Sequence, residues 1–173
     1  MSLTVIHVRR KPGSPTRGVL IAGTATVPVA LGRSGIKANK REGDGATPRG
    51  KFRPRRLWWR ADRAPRPTTP LPVRPIRRDD GWCEDPRDRA YNRPVRVPPD
   101  SAADRLWRQD QLYDLIIEID HNTRPRVAGR GSAVFIHVAR PGFAPTAGCI
   151  ALEPRTLHRL LARLGAQTRV IVN

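Results

Sequence analysis

Proline and glycine recur along almost the whole chain, and their number limits the secondary structure that it can form. The 173 residues include 18 prolines and 14 glycines. Both residues interrupt helices, because proline lacks an amide hydrogen and glycine leaves the backbone too free. This composition argues against a helical bundle or a coiled coil. The length fits one domain, residues 1–173, which we expect to be rich in strands and turns.

Alternating apolar and polar residues predict strands through much of the sequence. The strongest patterns lie in residues 113–120 and 133–140. Residues 18–31 predict a hairpin that turns at Gly23-Thr24. Further strands are expected in residues 2–9, 51–60 and 169–172.

One substantial helix is predicted near the C-terminus, over residues 154–164. Its leucines recur at helical spacing, and Pro154 stands in the first turn, where proline is tolerated. A second, short helix is predicted over residues 101–110, with Ser101 as its N-cap and Asp104 three residues further on. The predicted fold class is therefore mainly β, a β-rich α+β domain with one substantial C-terminal helix.

The chain is strongly basic, with 33 Lys and Arg residues against 15 Asp and Glu residues and a formal net charge of +18. Such a charge attracts anionic polymers, nucleic acid among them. Trp58 and Trp59 stand among arginines, where they either stack on bases or pack at a strand end. Because no known nucleic-acid-binding motif accompanies the charge, a non-catalytic nucleic-acid-binding protein is kept only as the alternative function.

The residues that suggest chemistry are concentrated near the second strong strand. His137 lies on that predicted strand, and Cys149 follows Gly148 after a loop broken by prolines. An imidazole can take the proton of a thiol and so make it nucleophilic. Gly148 suits a sharp turn whose N–H groups stabilise an oxyanion. The alternative interpretation is a buried structural cysteine and an ordinary strand histidine.

The string Thr146-Ala147-Gly148-Cys149-Ile150, preceded by a strand histidine, resembles the signature of the YkuD-type L,D-transpeptidase catalytic domain. The stretch Thr47-Pro48-Arg49-Gly50-Lys51-Phe52 is similar to one that precedes the site in this family. The C-terminal helix and strand also look like those of the family. The resemblance covers residues 2–173. Ala147 departs from the pattern, because that position is usually histidine, and the 12-residue spacing from His137 to Cys149 is short.

The resemblance implies a sandwich-like β-rich fold and acyl transfer on peptidoglycan stem peptides. It implies Cys149 as the nucleophile, His137 as the base, Gly148 and Cys149 as oxyanion donors, and Thr146 as a residue that sets the turn. The acyl group passes from a Cys149 thioester to an amine or to water, so transpeptidase and carboxypeptidase activities both stay open. The family needs no cofactor and no metal.

Location and assembly are less constrained by the sequence. The resemblance implies that the protein acts in the periplasm or cell wall. The N-terminal residues do not predict a signal peptide, so a cytoplasmic location stays open. No apolar run is long enough to predict a membrane span. We expect a monomer.

Other residues are candidates for secondary roles. Trp82, Tyr91, Asn92 and Arg140 are expected to contact substrate in the cleft. Cys83 leaves a disulfide with Cys149 open, although such a bond would block the nucleophile. A metal-dependent hydrolase is a further alternative, but the His and Cys residues lack the close spacing typical of metal ligands.

Overall fold

Strands form most of the regular structure in the computed structural model, which describes residues 1–98, 101 and 103–173. Its helical elements are the short 3-10 helix Pro141–Phe143 and the α-helix α1 (Pro154–Leu161). The strands are β1 (Val5–Lys11), β2 (Ser14–Ala22), β3 (Ala25–Ala30), β4 (Ile36–Lys37), β5 (Thr47–Pro48), β6 (Gly50–Phe52), β7 (Pro54–Trp59), β8 (Val73–Pro75), β9 (Asp80–Trp82), β10 (Pro94–Arg96), β11 (Asp104–Arg105), β12 (Leu115–Ile119), β13 (Phe135–Val138), β14 (Ile150–Leu152) and β15 (Arg169–Val172).

Ten of the strands form one large sheet, in the order β6-β15-β1-β2-β3-β14-β13-β12-β7-β8. Apolar side chains from both halves of this sheet meet in a single cluster; Ile6 and Leu20 represent one half, and Leu57 and Ile117 the other. The sheet therefore curls around its own core. The buried leucines of α1 belong to the same cluster, so the helix closes one side of the core. The predicted β-rich fold class with one C-terminal helix is confirmed.

The strand β12 is buried on both of its faces. Every residue from Leu115 to Ile119 is buried, and successive side chains of a strand point to opposite faces. Leu115, Ile117 and Ile119 belong to the main core, whereas Ile116 belongs to a second, smaller cluster. This double burial explains why the strand is a nearly continuous apolar run in the sequence.

A three-stranded sheet, β10-β9-β11, contributes to the second cluster. Trp82 of β9 packs edge-on against Trp58 and Phe135, with ring centroids 6.4 and 4.9 Å apart. Edge-to-face contacts of this kind stabilise aromatic clusters. Trp58 is fully buried, so it is packed within the protein and offers no face for stacking on bases.

Most local predictions agree with the observed elements. The hairpin of β2 and β3 turns at Gly23-Thr24, and β15 occupies residues 169–172. The helix begins at Pro154 but ends at Leu161, three residues earlier than predicted. Glu153 caps its start, accepting hydrogen bonds from Arg155 N at 3.1 Å and Thr156 N at 3.0 Å.

The predicted helix over residues 101–110 is wrong for the described part of that segment. Asp104 and Arg105 form β11 and pair with Trp82 and Gly81 of β9. Leu106 is fully buried in the second cluster, and its N–H donates to Asp80 O at 3.0 Å. Tertiary pairing therefore overrides the weak local capping signal.

None of the helices in the described part of the chain has the length and apolar character needed to cross a membrane.

Candidate active site

A tight turn presents Cys149 between the 3-10 helix and β14. Thr146 Oγ1 donates to Cys149 O at 2.6 Å and accepts from Gly148 N at 3.1 Å, which closes the turn. Gly148 has a φ of +138°, and a Cβ at this position would lie 2.7 Å from Ala46 O. Only glycine fits this backbone without displacing the neighbouring loop.

The backbone of Thr146 anchors the turn to the chain segment that follows β3. Thr146 N donates to Leu31 O at 2.9 Å, and Arg33 N donates to Thr146 O at 2.9 Å. Thr146 therefore lies where it can hold the turn, and its function at the site stays a prediction. Ala147, where the family pattern has histidine, is exposed and lines the adjoining cavity.

The Cys149 thiol is buried and held by two backbone groups. Its Sγ donates to Ala133 O at 3.2 Å and accepts from Phe135 N at 3.3 Å. Burial is the main factor that raises the pKa of Cys149 to about 12, and the Phe135 N–H opposes the shift. The thiol is therefore neutral in this arrangement. Ala133 itself has a φ of +51°, an uncommon conformation for a residue with a side chain.

His137 lies on β13, two residues beyond Phe135 and on the same face of the strand. Its Nδ1 is 2.8 Å from Val138 O. A carbonyl oxygen only accepts, so Nδ1 carries the proton and Nε2 is left as the acceptor of the neutral ring. Burial lowers the pKa of His137 to about 4. The ring also packs edge-on against Tyr113, with centroids 5.4 Å apart.

Cys149 and His137 line one cavity of about 350 Å³. The parallel pairing of β13 with β14 brings them to neighbouring positions, because Ile136 pairs with Ile150 and His137 with Ala151. A buried thiol beside an imidazole with a free acceptor nitrogen has the components of nucleophilic cysteine chemistry. The resting pair is neutral, so proton transfer would accompany substrate binding.

A family comparison shows to which class of protein this site belongs. The model of the YkuD L,D-transpeptidase catalytic domain matches residues 16–172, nearly the whole chain. The chain belongs to the YkuD family. The resemblance identified from the residues around Cys149 is confirmed, and the protein is an enzyme of the L,D-transpeptidase type. No curated protein and no solved structure matches the chain.

The cavity of this YkuD domain has charged walls that the sequence did not reveal. Lys40 is almost completely buried, and its Nζ donates to Asp44 Oδ1 at 2.6 Å. Asp44 also accepts from Ala46 N at 2.8 Å, and its contact with Lys40 helps to hold its pKa below the ordinary value despite burial. The loop that contains Lys40 and Asp44 also places Ala46 O in close contact with Gly148. The signal available in the sequence was the Gly-Asp-Gly turn ahead of Thr47-Pro48.

Three of the four expected substrate contacts lie away from the described cavity lining. Trp82 is buried, and its Nε1 donates to Asn92 Oδ1 at 3.0 Å. Asn92 Oδ1 also accepts from Ala133 N at 3.2 Å, so Asn92 supports the segment whose carbonyl meets the Cys149 thiol. The Tyr91 hydroxyl accepts from Gly131 N at 3.0 Å. Their contact with substrate stays a prediction.

Arg140 is exposed and lines the cavity, at the start of the 3-10 helix. It is the one member of that group of four that has direct access to the cavity. A guanidinium at this position can bind a carboxylate through two parallel hydrogen bonds.

Both cysteines are free thiols, so no disulfide joins Cys83 to Cys149. Cys83 is buried directly after β9, where its N–H donates to Arg93 O at 2.9 Å. Among the described residues, no group of three or more His, Cys, Asp or Glu side chains is arranged to hold a metal ion.

Proposed function

We propose that this YkuD domain transfers acyl groups from peptidoglycan stem peptides through a thioester on Cys149, with His137 as the base. The observation that carries the proposal is the convergence of the Cys149 thiol and the His137 imidazole on one cavity. The family match makes a stem peptide, cleaved before its terminal D-alanine, the substrate that we infer. Such a substrate implies that the enzyme acts at the cell wall.

The first chemical step needs the thiol proton to leave Ala133 O. Because His137 Nδ1–H is directed to Val138 O, Nε2 is the nitrogen that accepts this proton. The thiolate attacks the carbonyl carbon of the scissile peptide bond, and the Phe135 N–H continues to stabilise the sulfur. The imidazolium then gives its proton to the leaving amine. The product is a Cys149 thioester and free D-alanine.

The tetrahedral intermediate needs donors for its oxyanion. We assign this function to the Cys149 N–H and, as a second donor, the Gly148 N–H. The Gly148 N–H donates to Thr146 Oγ1 in the resting structure, so it must exchange this partner for the oxyanion. Thr146 Oγ1 retains its bond to Cys149 O and keeps the turn closed during that exchange.

The second step returns the enzyme to its starting state. An amine or water attacks the thioester carbon, its proton passes to His137 Nε2, and the Cys149 sulfur leaves with a proton. An amine acceptor gives transpeptidation, and water gives carboxypeptidation. Mass spectrometry of the products from a disaccharide-tetrapeptide distinguishes these outcomes.

The covalent intermediate is tested directly with a carbapenem, whose strained ring is an acyl donor. Intact-mass measurement should show one adduct on the wild-type protein and none on Cys149→Ala. The matched control is Cys83→Ala, which removes the other buried thiol and should acquire the same adduct as wild type. An adduct of equal mass on Cys149→Ala would overturn the proposal.

A further inference from the structure

Lys40 is a buried cation in the cavity wall that the acyl-transfer steps leave unused. Its side chain is 6% exposed. The other charged side chains of the described cavity lining all keep more contact with solvent; they are Arg33, Glu42, Glu84, Asp104, Arg108 and Arg140. Solvent screens exposed charges strongly and buried charges much less. Since burial of a cation also costs free energy, its place beside the nucleophile calls for a function.

Two glycines leave the space that the Lys40 side chain occupies. A Cβ on Gly131 would lie 3.0 Å from Lys40 Cγ and 3.1 Å from Lys40 Cε, so the aliphatic chain passes directly over this glycine. A Cβ on Gly148 would lie 3.6 Å from Lys40 Nζ. The ammonium group therefore lies close to the residue that precedes Cys149, and the backbone on both sides makes room for it.

The ammonium group is held by two acceptors on its own loop. Nζ donates to Asp44 Oδ1 at 2.6 Å and to Arg41 O at 3.0 Å. The Asp44 carboxylate also accepts from Arg41 N and Ala46 N, both at 2.8 Å. These two N–H groups offset part of the carboxylate charge, so the ion pair keeps a positive end at Nζ. An ammonium group has three donors, and the third has no acceptor among the described residues.

The negative charge that acylation requires forms at the turn beside this cation. Deprotonation of Cys149 places the charge on a buried sulfur. Burial is the main factor that raises the pKa of Cys149, and the positive charge of Lys40 acts in the opposite direction. The ammonium group therefore favours the form of the thiol that attacks.

The other titratable groups around the thiol do not supply this stabilisation. Asp104 and Glu84 are carboxylates, and their charges raise the pKa of the thiol further. Tyr113 and His137 are neutral at pH 7, because burial raises the pKa of the tyrosine and lowers that of the histidine. The arginines of the lining keep contact with solvent, which screens them.

We propose that the Lys40 ammonium group stabilises the Cys149 thiolate and thereby promotes acylation. The proton leaves Sγ for His137 Nε2 as in the proposed function, and no further bond forms or breaks. Lys40 acts through its charge, and Asp44 positions that charge. The effect on acylation rests on the proposed function, whereas the effect on the thiolate is measured without an acyl donor.

Iodoacetamide reports on the thiolate, because it alkylates the deprotonated sulfur. In a Cys83→Ala background, Cys149 is the one thiol left to react. Lys40→Met keeps the aliphatic chain and removes the charge. It should slow alkylation about tenfold between about pH 7 and 9, because one close opposite charge shifts a pKa by about one unit or more. Lys40→Gln, which keeps a donor for Asp44, should show a similar loss. An unchanged rate in either folded variant would overturn the proposal.

Asp44→Asn separates the charge of Lys40 from the structure of its loop. The asparagine oxygen can still accept from Ala46 N, whereas the ammonium group loses its counter-charge. Alkylation should then be severalfold faster than in the wild-type sequence. Slower alkylation, as in Lys40→Met, would overturn the proposal, because it would show that the ion pair only holds the loop.

The matched control is Lys37→Met, which removes the same charge from an exposed lysine of β4 outside the described cavity lining. Its alkylation rate should change less than about twofold, because solvent screens this charge. A tenfold loss in this control would assign the effect to the net charge of the protein and would overturn the proposal.

Acylation by a carbapenem should also slow about tenfold in Lys40→Met, and the two proposals fail separately. Slower alkylation in Lys40→Met without any carbapenem adduct on wild type would overturn the proposed function and leave the stabilised thiolate standing. Equal alkylation of the two proteins, with a normal adduct on wild type, would overturn the function of Lys40 and leave the proposed function standing.

Discussion

The strands β7, β12 and β13 carry different chemistry on their two faces. Leu57, Ile117 and Ile136 face the main core, where the buried cluster is apolar. Trp58, Ile116 and Phe135 face the second cluster, which is largely aromatic and includes the Cys149 thiol. One set of backbone hydrogen bonds thus supports both an apolar core face and a face that holds the candidate nucleophile.

This difference shows how one sheet can hold groups whose burial destabilises the fold. The core face buries hydrocarbon, which stabilises the fold. The cavity face desolvates a thiol and an imidazole, and each of these favours its neutral form. Substitutions on the two faces should therefore affect different measurements: stability on the core face, and acylation or its pH dependence on the cavity face.

The largest effect is expected from His137→Asn on the cavity face. The asparagine amide can still donate to Val138 O, but it offers no nitrogen that accepts the thiol proton. The rate of Cys149 acylation by a carbapenem should fall about 10³-fold, which is within the range for loss of a general base. Stopped-flow or timed intact-mass measurements give the rate. A variant that acylates within threefold of wild type would show that another group is the base.

The complementary substitution on the core face is Ile117→Ala. Ile117 is fully buried in the main core, so truncation should lower the free energy of unfolding by about 2–5 kcal/mol. Urea denaturation at 25 °C measures this loss. At low temperature, where the variant remains folded, acylation of Cys149 should occur at nearly the wild-type rate. A large loss of acylation in folded protein would show that the two faces are coupled.

The pH dependence of stability sharpens the comparison further. The pKa of His137 is lowered from 6.5 to about 4 by burial, so the unfolded state binds more protons between these values. This residue should therefore make stability fall as the pH drops from about 6.5 to about 4, by roughly 3 kcal/mol. Urea denaturation of wild type and His137→Asn across this range isolates the effect. Parallel curves for the two proteins would contradict it.

The smallest effect should come from Cys83→Ala, which compares the two buried thiols. Cys83 lies outside the described cavity lining, so the acylation rate should change less than about threefold. The truncation removes one buried sulfur and should lower the free energy of unfolding by roughly 1 kcal/mol. Loss of acylation to the level of Cys149→Ala would assign Cys83 a direct function in catalysis.

Features determined by neighbouring residues were predictable from the sequence. The hairpin at Gly23-Thr24 and the helix that begins at Pro154 depend on local turn and capping chemistry. That His137 and Cys149 would lie at the same cavity was predictable, because both belong to one short sequence motif. The helix predicted over residues 101–110 failed because Leu106 is stabilised by contacts with β9, which is distant in sequence.

The cavity walls were not predictable, since their groups come together only in the folded chain. Glu84 follows β9, Asp104 belongs to β11, and Ser132 precedes β13. No periodicity or motif links these positions. The orientation of the Trp82 side chain could not be predicted from the sequence either, because its burial depends on Phe135 and Trp58 from the large sheet.

The parallel pairing of β1 with β15 has a consequence for synthesis of the protein. Val5 pairs with Arg169 and Val8 with Val172, and β6 pairs with the other edge of β15. The strand β1 therefore has to wait for β15, which is synthesised much later, before the large sheet can close. Closing a loop of this length is slow, and the exposed edge of β1 is open to wrong pairing in the meantime. Nascent chains of this protein should depend on chaperones until residue 172 has left the exit tunnel.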